Sequence, residues 1–471
     1  MGQHTVEKIG GTSMSRFGEL MANIIIGNRK ANELYNRIFV VSAYGGITNL
    51  LLENKKTGAP GIYGSFAAGD NAAWQEKLEA TRKEMLAINR GFADLGLDVE
   101  KADQFVNERM DGAKDCLLHL SKLGSFGHFN KDSYLPAARE MLSSIGEAHS
   151  AFNSVNILHK HGVKAVFVDL SGWRDHDTGS MEENIEEHIK DLDFSTCMPI
   201  VTGYAKCAEG VMAQFDRGYS EITFSKLAVV TQAKEGVIHK EYHLSTGDPK
   251  LIGADKVRII GHTNFDIADQ LSDMAMEAIH PKASKAMELH NIPIRVKNAF
   301  DPEHPGTLIS RSYVSPVPRV DMICGRQDLV AIEVFDPEMV GVPGYDYNLM
   351  RSFAKNKVSY IAKNTNANTI THYVSVRQDG LENCIEEIKQ NFPSAQVQTC
   401  EVAIVSVLGS NMKLPGFLSR AATALAGAGI NVLALDQCMR QVNMQFIIAR
   451  DHFEAAQKAL HQEFVEKSDA F

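Results

Sequence analysis

The sequence predicts an α/β protein: a mainly parallel sheet covered by helices on both faces, followed by two smaller ferredoxin-like units. Three observations predict it. Short apolar, β-rich runs alternate with helical patterns as far as Val296, the signature of a parallel sheet built from strand–helix–strand units. The first two runs, ending at Ile9 and Val41, each lead into a Gly-rich turn. Beyond a turn-rich stretch, a strand–helix–strand–strand–helix pattern then occurs twice.

The first strand spans His4 to Ile9 and is followed by Gly10-Gly11-Thr12-Ser13-Met14. From Met14 a helix is expected, with Phe17, Leu20, Met21, Ile24 and Ile25 on one face. Two glycines at a strand-to-helix turn let backbone N–H groups approach an anion. The helix N-terminus adds further N–H groups and a partial positive charge, and Lys8 supplies a full charge just before the turn. The combination suits a nucleotide phosphate. It is not a Walker A loop, because the lysine precedes the glycines. The second run, Ile38-Phe39-Val40-Val41, ends in Ser42-Ala43-Tyr44-Gly45-Gly46-Ile47-Thr48-Asn49-Leu50. Two such turns, one strand–helix–strand unit apart, would bring both loops to the carboxyl edge of one sheet, where open α/β sheets bind ligands.

Gly58-Ala59-Pro60-Gly61 breaks the chain, and residues 68–160 are mostly helical in pattern. Val163 to Leu170, Met198 to Tyr204 and Ile292 to Val296 are expected as buried strands. The stretch from Phe300 to Pro318 is rich in turn formers and places a domain boundary near residue 315. The first repeat is expected as strand 329–335, helix 346–356, strands 358–363 and 370–376, and helix 381–391. The second is expected as strand 401–408, helix 416–428, strands 430–437 and 442–449, and helix 452–464. Pro343-Gly344 and Pro415-Gly416 stand at equivalent helix starts. The pattern alone leaves open whether these units bind a ligand or only pack.

The chain has 471 residues, enough for two or three domains. Hydrophobic residues make up 44% and charged residues 23%, ordinary for a soluble protein. A net charge of −10 argues against nonspecific nucleic-acid binding, and anionic substrates then need local basic groups. Seven cysteines are scattered with no Cys-x-x-Cys pair, which fits reduced thiols in a cytoplasm. No secretory segment opens the chain and no apolar run reaches membrane-spanning length, so no membrane association is expected. Val6 stands where a myristoylation signal wants Ser or Thr. His239 and His243 have i, i+4 spacing but no zinc motif around them, so no metal site is expected.

On the Lys8–Ser13 turn and the Ser42–Leu50 run, the chain resembles the aspartokinases of the amino-acid kinase fold. Ser144-Ile145-Gly146-Glu147, Pro199-Ile200-Val201-Thr202-Gly203-Tyr204, Arg217-Gly218-Tyr219-Ser220-Glu221, Asp248-Pro249-Lys250 and Ile279-His280-Pro281 follow in family order. The resemblance covers nearly the whole chain. It implies a kinase domain over residues 1–315 and tandem ACT modules over 316–395 and 396–471. It also implies transfer of a phosphoryl group from ATP, carried with Mg²⁺, to the β-carboxylate of L-aspartate. A carboxylate is already ionised at neutral pH, so no general base is needed and the protein's tasks are positioning and charge neutralisation.

Residue by residue, the resemblance implies that Lys8 stabilises the transferring phosphoryl group in a cradle of Gly10, Gly11, Thr12 and Ser13. Arg217 would hold the α-carboxylate of aspartate bidentately, and Glu147 would pair with its α-ammonium or order the site. Ser42 and Thr48 would offer hydroxyl contacts, and Asp248 and Lys250 would contact nucleotide. An amino-acid effector at the ACT modules and a homodimer or homotetramer are implied by the same analogy. The chain departs from the family pattern at Asp216-Arg217-Gly218-Tyr219-Ser220-Glu221, across 239–247, and at Glu277, where a lysine is usual. These departures mark a divergent branch, similar to the specialised aspartokinases of ectoine pathways. Ile361 falls near an acidic position of lysine-sensitive members, so classical lysine inhibition is not expected. The competing readings are a glutamate or N-acetylglutamate kinase, and a non-catalytic amino-acid sensor.

Overall fold

The computed structural model describes residues 2–27, 29–175, 179–215, 218–274 and 279–467. The chain divides into two units. One comprises Met1–His243 and Ile279–Arg311, the other Leu244–Ala278 and Ser312–Phe471.

The first unit is built on β1 (Thr5–Ile9), β2 (Arg37–Val41), β3 (Ala165–Val168), β4 (Met198–Thr202) and β5 (Glu235–Lys240). The short β6 (His262–Asn264) belongs to the second unit, while β7 (Ile294–Asn298) and β8 (Thr307–Ser310) return to the first. The order across the first unit is β3-β4-β2-β1-β5-β7-β8. Every pairing from β3 through β7 is parallel and β8 alone is antiparallel. The chain moves from β1 to one side through β2, then crosses to β5 on the other. The carboxyl end of β1 is therefore the switch point where a ligand crevice opens. All residues of β2 and β4 are buried, as in a sheet covered on both faces.

The helical region resolves into Asn71–Gly91, Val99–Gly124 and Lys131–Lys160. Asp70, Asp98 and Asn130 cap them by accepting backbone N–H groups with their side chains. The helix expected from Met14 is not continuous. Gly11–Met14 and Phe17–Leu20 are separate single turns, followed by a π-helical turn over Met21–Ile25. The break falls at Arg16, whose φ of −110° and ψ of 44° leave the helical region. The expected apolar face still holds, with Phe17, Leu20, Ile24 and Ile25 buried.

In the second unit, β9 (Met322–Phe335), β10 (Tyr360–Thr365), β11 (Thr369–Ser375), β12 (Gln396–Leu408), β13 (Val432–Asp436) and β14 (Asn443–Ala449) form one antiparallel sheet. Its order is β10-β11-β9-β12-β14-β13. Strands β9 and β12 start earlier than the sequence pattern places them, because they pair with each other from Gln396↔Phe335 to Leu408↔Met322. Two cores result. Ile332, Val334, Leu349, Phe353 and Ile388 centre one; Val405, Phe446, Leu425 and Leu460 centre the other, joined by Val320 and Ile323. The helices Tyr345–Lys355 and Leu381–Asn391 cover the first, and Phe417–Gly427 and Phe453–His461 the second.

Leu244–Ala278 folds with this unit: Ile323 donates its backbone N–H to the Thr246 carbonyl at 2.8 Å, and the Thr246 hydroxyl lies 3.0 Å from Nε2 of His461. All seven cysteines are free thiols. Among the described residues no helix is long and apolar enough to cross a membrane.

Candidate active site

The site grows from the carboxyl ends of β1, β2 and β4. After β1 the chain turns at Gly10 into Gly11–Met14, a single helical turn whose first N–H groups have no intrahelical partner. Glycine is required at position 11 by contact rather than by dihedral angle. A Cβ there would stand 2.6 Å from the Ala43 carbonyl oxygen on the loop after β2. The two Gly-rich turns foreseen from the sequence thus touch. They are also pinned by Gly45, whose N–H donates to the Ser15 hydroxyl at 2.9 Å. The second loop closes through Gly46 at φ 89°, which starts the helix Ile47–Leu51 that carries Thr48. Thr12 is exposed and Ser13 buried, with the Ser13 hydroxyl donating to Glu241 just past β5 at 3.3 Å.

Lys8 is mostly buried and lies 3.4 Å from Glu221. Burial pushes the Glu221 carboxyl up. The Lys8 and Lys240 charges and the His280 backbone N–H, which donates to it at 2.5 Å, outweigh burial and hold it below the ordinary range. Glu221 is therefore an ionised partner that keeps the Lys8 ammonium in place. Ser220, one residue earlier, meets Ser42 hydroxyl to hydroxyl at 3.1 Å.

Glu147 sits in the buried middle of Lys131–Lys160. Burial pushes its carboxyl well above the usual range, against the opposing pull of Lys8 and of backbone hydrogen bonds from Ala43 and Tyr204. Its Oε2 is buried with no hydrogen-bond partner among the described residues. Gly203, at the end of β4, makes room for that oxygen: a Cβ on residue 203 would come within 2.7 Å of it. The cluster therefore holds a fixed ammonium, a backbone cradle, two hydroxyls and one carboxylate oxygen without a partner. Such a set can receive a phosphate group and an ammonium group together.

Lys8, Gly10, Gly11, Ser13, Ser42 and Glu147 are brought together at the carboxyl edge of the sheet. Arg217 and Glu277 lie outside the described residues. Asp248 and Lys250 belong to the second unit, where Asp248 caps the helix Pro249–Ile252 by accepting the Lys250 N–H at 2.9 Å. His239 and His243 are not on a helix. His239 ends inside β5 against Glu7, and His243 pairs with Asp301 at 2.9 Å. Sequence reasoning missed the roles of Ser220 and Glu241. The signal for Glu241 was its place directly after an apolar strand of the sheet.

A match to the amino acid kinase family spans residues 3–298, and a match to the ACT domain spans residues 405–464. The sequence is 49% identical over 464 residues to the aspartate kinase Ask_Ect of Stutzerimonas stutzeri (strain A1501), covering 98% of each chain. It is 25% identical to the chloroplastic aspartokinase 1 of Arabidopsis thaliana, covering 98% of this chain and 80% of that one. The fold is similar to that of E. coli aspartokinase III in complex with aspartate and ADP in the R-state, with a TM-score of 0.73 at 19% identity, covering 98% of this chain and 99% of that chain. It is similar also to the same enzyme with lysine and aspartate in the T-state, with a TM-score of 0.72 at 18% identity, covering 98% of this chain and 100% of that chain.

Proposed function

The chain belongs to the aspartate kinases of the amino acid kinase family, and from that premise we propose how its residues divide the reaction. The enzyme transfers the γ-phosphoryl group of ATP to the β-carboxylate of L-aspartate. A carboxylate oxygen forms the new bond to phosphorus, the bond to the ADP oxygen breaks, and 4-phospho-L-aspartate and ADP leave. No proton has to be removed from the nucleophile, so the protein's contribution is placement and charge.

Lys8 faces the transferring phosphoryl group and Gly10–Ser13 cradle it. The Glu147 Oε2 takes the α-ammonium of aspartate, with Ser42 and Thr48 beside it. Arg217 is assigned to the α-carboxylate by its motif. Magnesium arrives with ATP as part of the substrate. The observation that carries this reading is the partnerless Oε2 of Glu147, a buried carboxylate oxygen beside a mostly buried lysine. An amino-acid ammonium would complete it, and a bare phosphate would not.

The test is product trapping with hydroxylamine. L-aspartate with MgATP should give the aspartyl hydroxamate and L-glutamate should give none. Arg217→Ala should weaken aspartate binding by about 10- to 150-fold, the worth of a lost charge-assisted contact, and leave ATP affinity nearly unchanged. Equal turnover of glutamate, or an ATP defect with normal aspartate binding, would reverse these assignments.

A further inference from the structure

Successive residues of a strand face opposite sides of the sheet. Lys8 and Glu7 therefore serve different surfaces. Glu7 pairs in register with Val237, and Val237 with Arg295. With Glu235, His239 and Lys297 they line one face of β1, β5 and β7. Ala22, Asn23, Ile24, Gly27 and Arg29 wall this face on one side, and Pro302 and Glu303 on the other. The cleft between them has a volume of about 680 Å³.

Two ion pairs in and under this cleft are closed. Arg37 holds Glu7 through Nε and Nη2 at 2.7 and 3.0 Å, and Arg295 holds Glu235 through the same two nitrogens at 2.8 and 2.9 Å. Two cations remain. Arg29 and Lys297 are both half-buried, and no carboxylate forms a salt bridge with either among the described residues. Among the described residues Lys297 donates only to the Pro302 carbonyl, at 3.1 Å. Burial lowers the affinity of both for their protons; Glu7 opposes this at both positions without a salt bridge, and the neighbouring guanidinium charges, Arg37 at Arg29 and Arg29 at Lys297, add to it. Glu303 is exposed at the rim.

His239 adds a third unmet group. Glu7, ionised against Arg37, can only accept, so the Nε2 that lies 2.7 Å from it carries the hydrogen. Burial, against the opposing pull of Glu7, lowers the ring's affinity for a second proton and favours the neutral form. Its Nδ1 is then an acceptor, and it is buried with no partner among the described residues. A ligand that satisfies the cleft carries concentrated negative charge for Arg29 and Lys297 and an O–H donor for Nδ1. We propose that this cleft binds a small hydroxyl-bearing phosphate monoester, at a site separate from the Lys8 cradle. A carboxylate or sulfate would answer the charge but offer no donor to His239.

Calorimetric titration of the full-length protein with glycerol 3-phosphate, inorganic phosphate and sulfate tests this. Glycerol 3-phosphate should bind, sulfate should bind several-fold more weakly, and Lys8→Ala should leave glycerol 3-phosphate binding within about twofold. Arg29→Gln with Lys297→Met should weaken it at least tenfold, since each removes a charge-assisted contact. The single variant Arg29→Gln, at a half-exposed position, should by itself cost several-fold and keeps the test open should the double variant melt early. Absence of binding to the unaltered protein overturns the proposal. So does binding that Lys8→Ala abolishes and the Arg29 and Lys297 variants keep.

Discussion

Gly203 and Glu147 are fitted to each other. The space a side chain would take at the end of β4 is the space in which Oε2 of Glu147 stands, 2.7 Å from where a Cβ would be. The same Cβ would lie 2.6 Å from the Ser220 Cβ and 2.8 Å from the Val41 carbonyl oxygen. Two of these three neighbours are a backbone atom and the Cβ of a buried residue, so the strain cannot be relieved by a rotamer change. Gly203→Ala should destabilise the fold by about 1–3 kcal/mol and raise the aspartate KM. Thermal melts and initial rates measure both. A variant with native Tm and native KM would show that the carboxylate is not confined by this glycine.

Glu147 should trade stability for binding. Its folded-state pKa is raised, above an unfolded value of about 4.3. Between those two values the folded protein binds more protons than the unfolded chain, so stability falls as pH rises through that window. Glu147→Gln cannot ionise and lacks that slope. The variant's Tm should exceed that of the unaltered protein by a margin that widens as pH rises above about 4.3, while its aspartate affinity drops. In the unaltered protein an arriving ammonium draws the proton off, so aspartate binding should weaken as pH falls through the raised pKa. Calorimetry in buffers of different ionisation enthalpy reads the released proton directly; a binding heat independent of buffer counts against Glu147 as the ammonium partner.

Lys8→Ala should lower kcat by about 10²-fold or more and change the aspartate KM far less. The lysine is expected to meet charge that develops during transfer, and loss of such a contact falls on kcat. Steady-state kinetics in both substrates decides it, and an unchanged kcat removes Lys8 from the mechanism.

Lysine should inhibit weakly at best. Ile361 is half-buried on β10 and has no charge to offer an effector's ammonium. A titration of lysine, threonine and other amino acids against initial rate, with subunit mass measured in parallel, is the check. By linkage, any effector found must bind more tightly or more weakly in the presence of aspartate by the factor it imposes on aspartate. Strong inhibition by lysine acting alone would place the effector contacts elsewhere than Ile361.

The sequence by itself determined the parallel sheet, the two glycine turns and the twin strand–helix–strand–strand–helix units. Each rests on short-range chemistry: strand and helix periodicities, and glycine where backbone must approach closely. Tertiary structure decided who partners whom. Lys8 finds Glu221 at a separation of 213 residues, and Ser13 finds Glu241 at 228, pairings set by sheet order and register rather than by local pattern. The polar run Gly325-Arg326-Gln327-Asp328 does not look like a strand, yet it lies inside β9: β12 pairs with Gly325 and Arg326, and the register shifts across Gln327 and Asp328 before pairing resumes at Leu329. His239 and His243, spaced as on a helix, lie in and just beyond a strand. The meaning of His239 emerged only when parallel pairing set Glu7, His239 and Lys297 on one side of the sheet and Lys8 on the other.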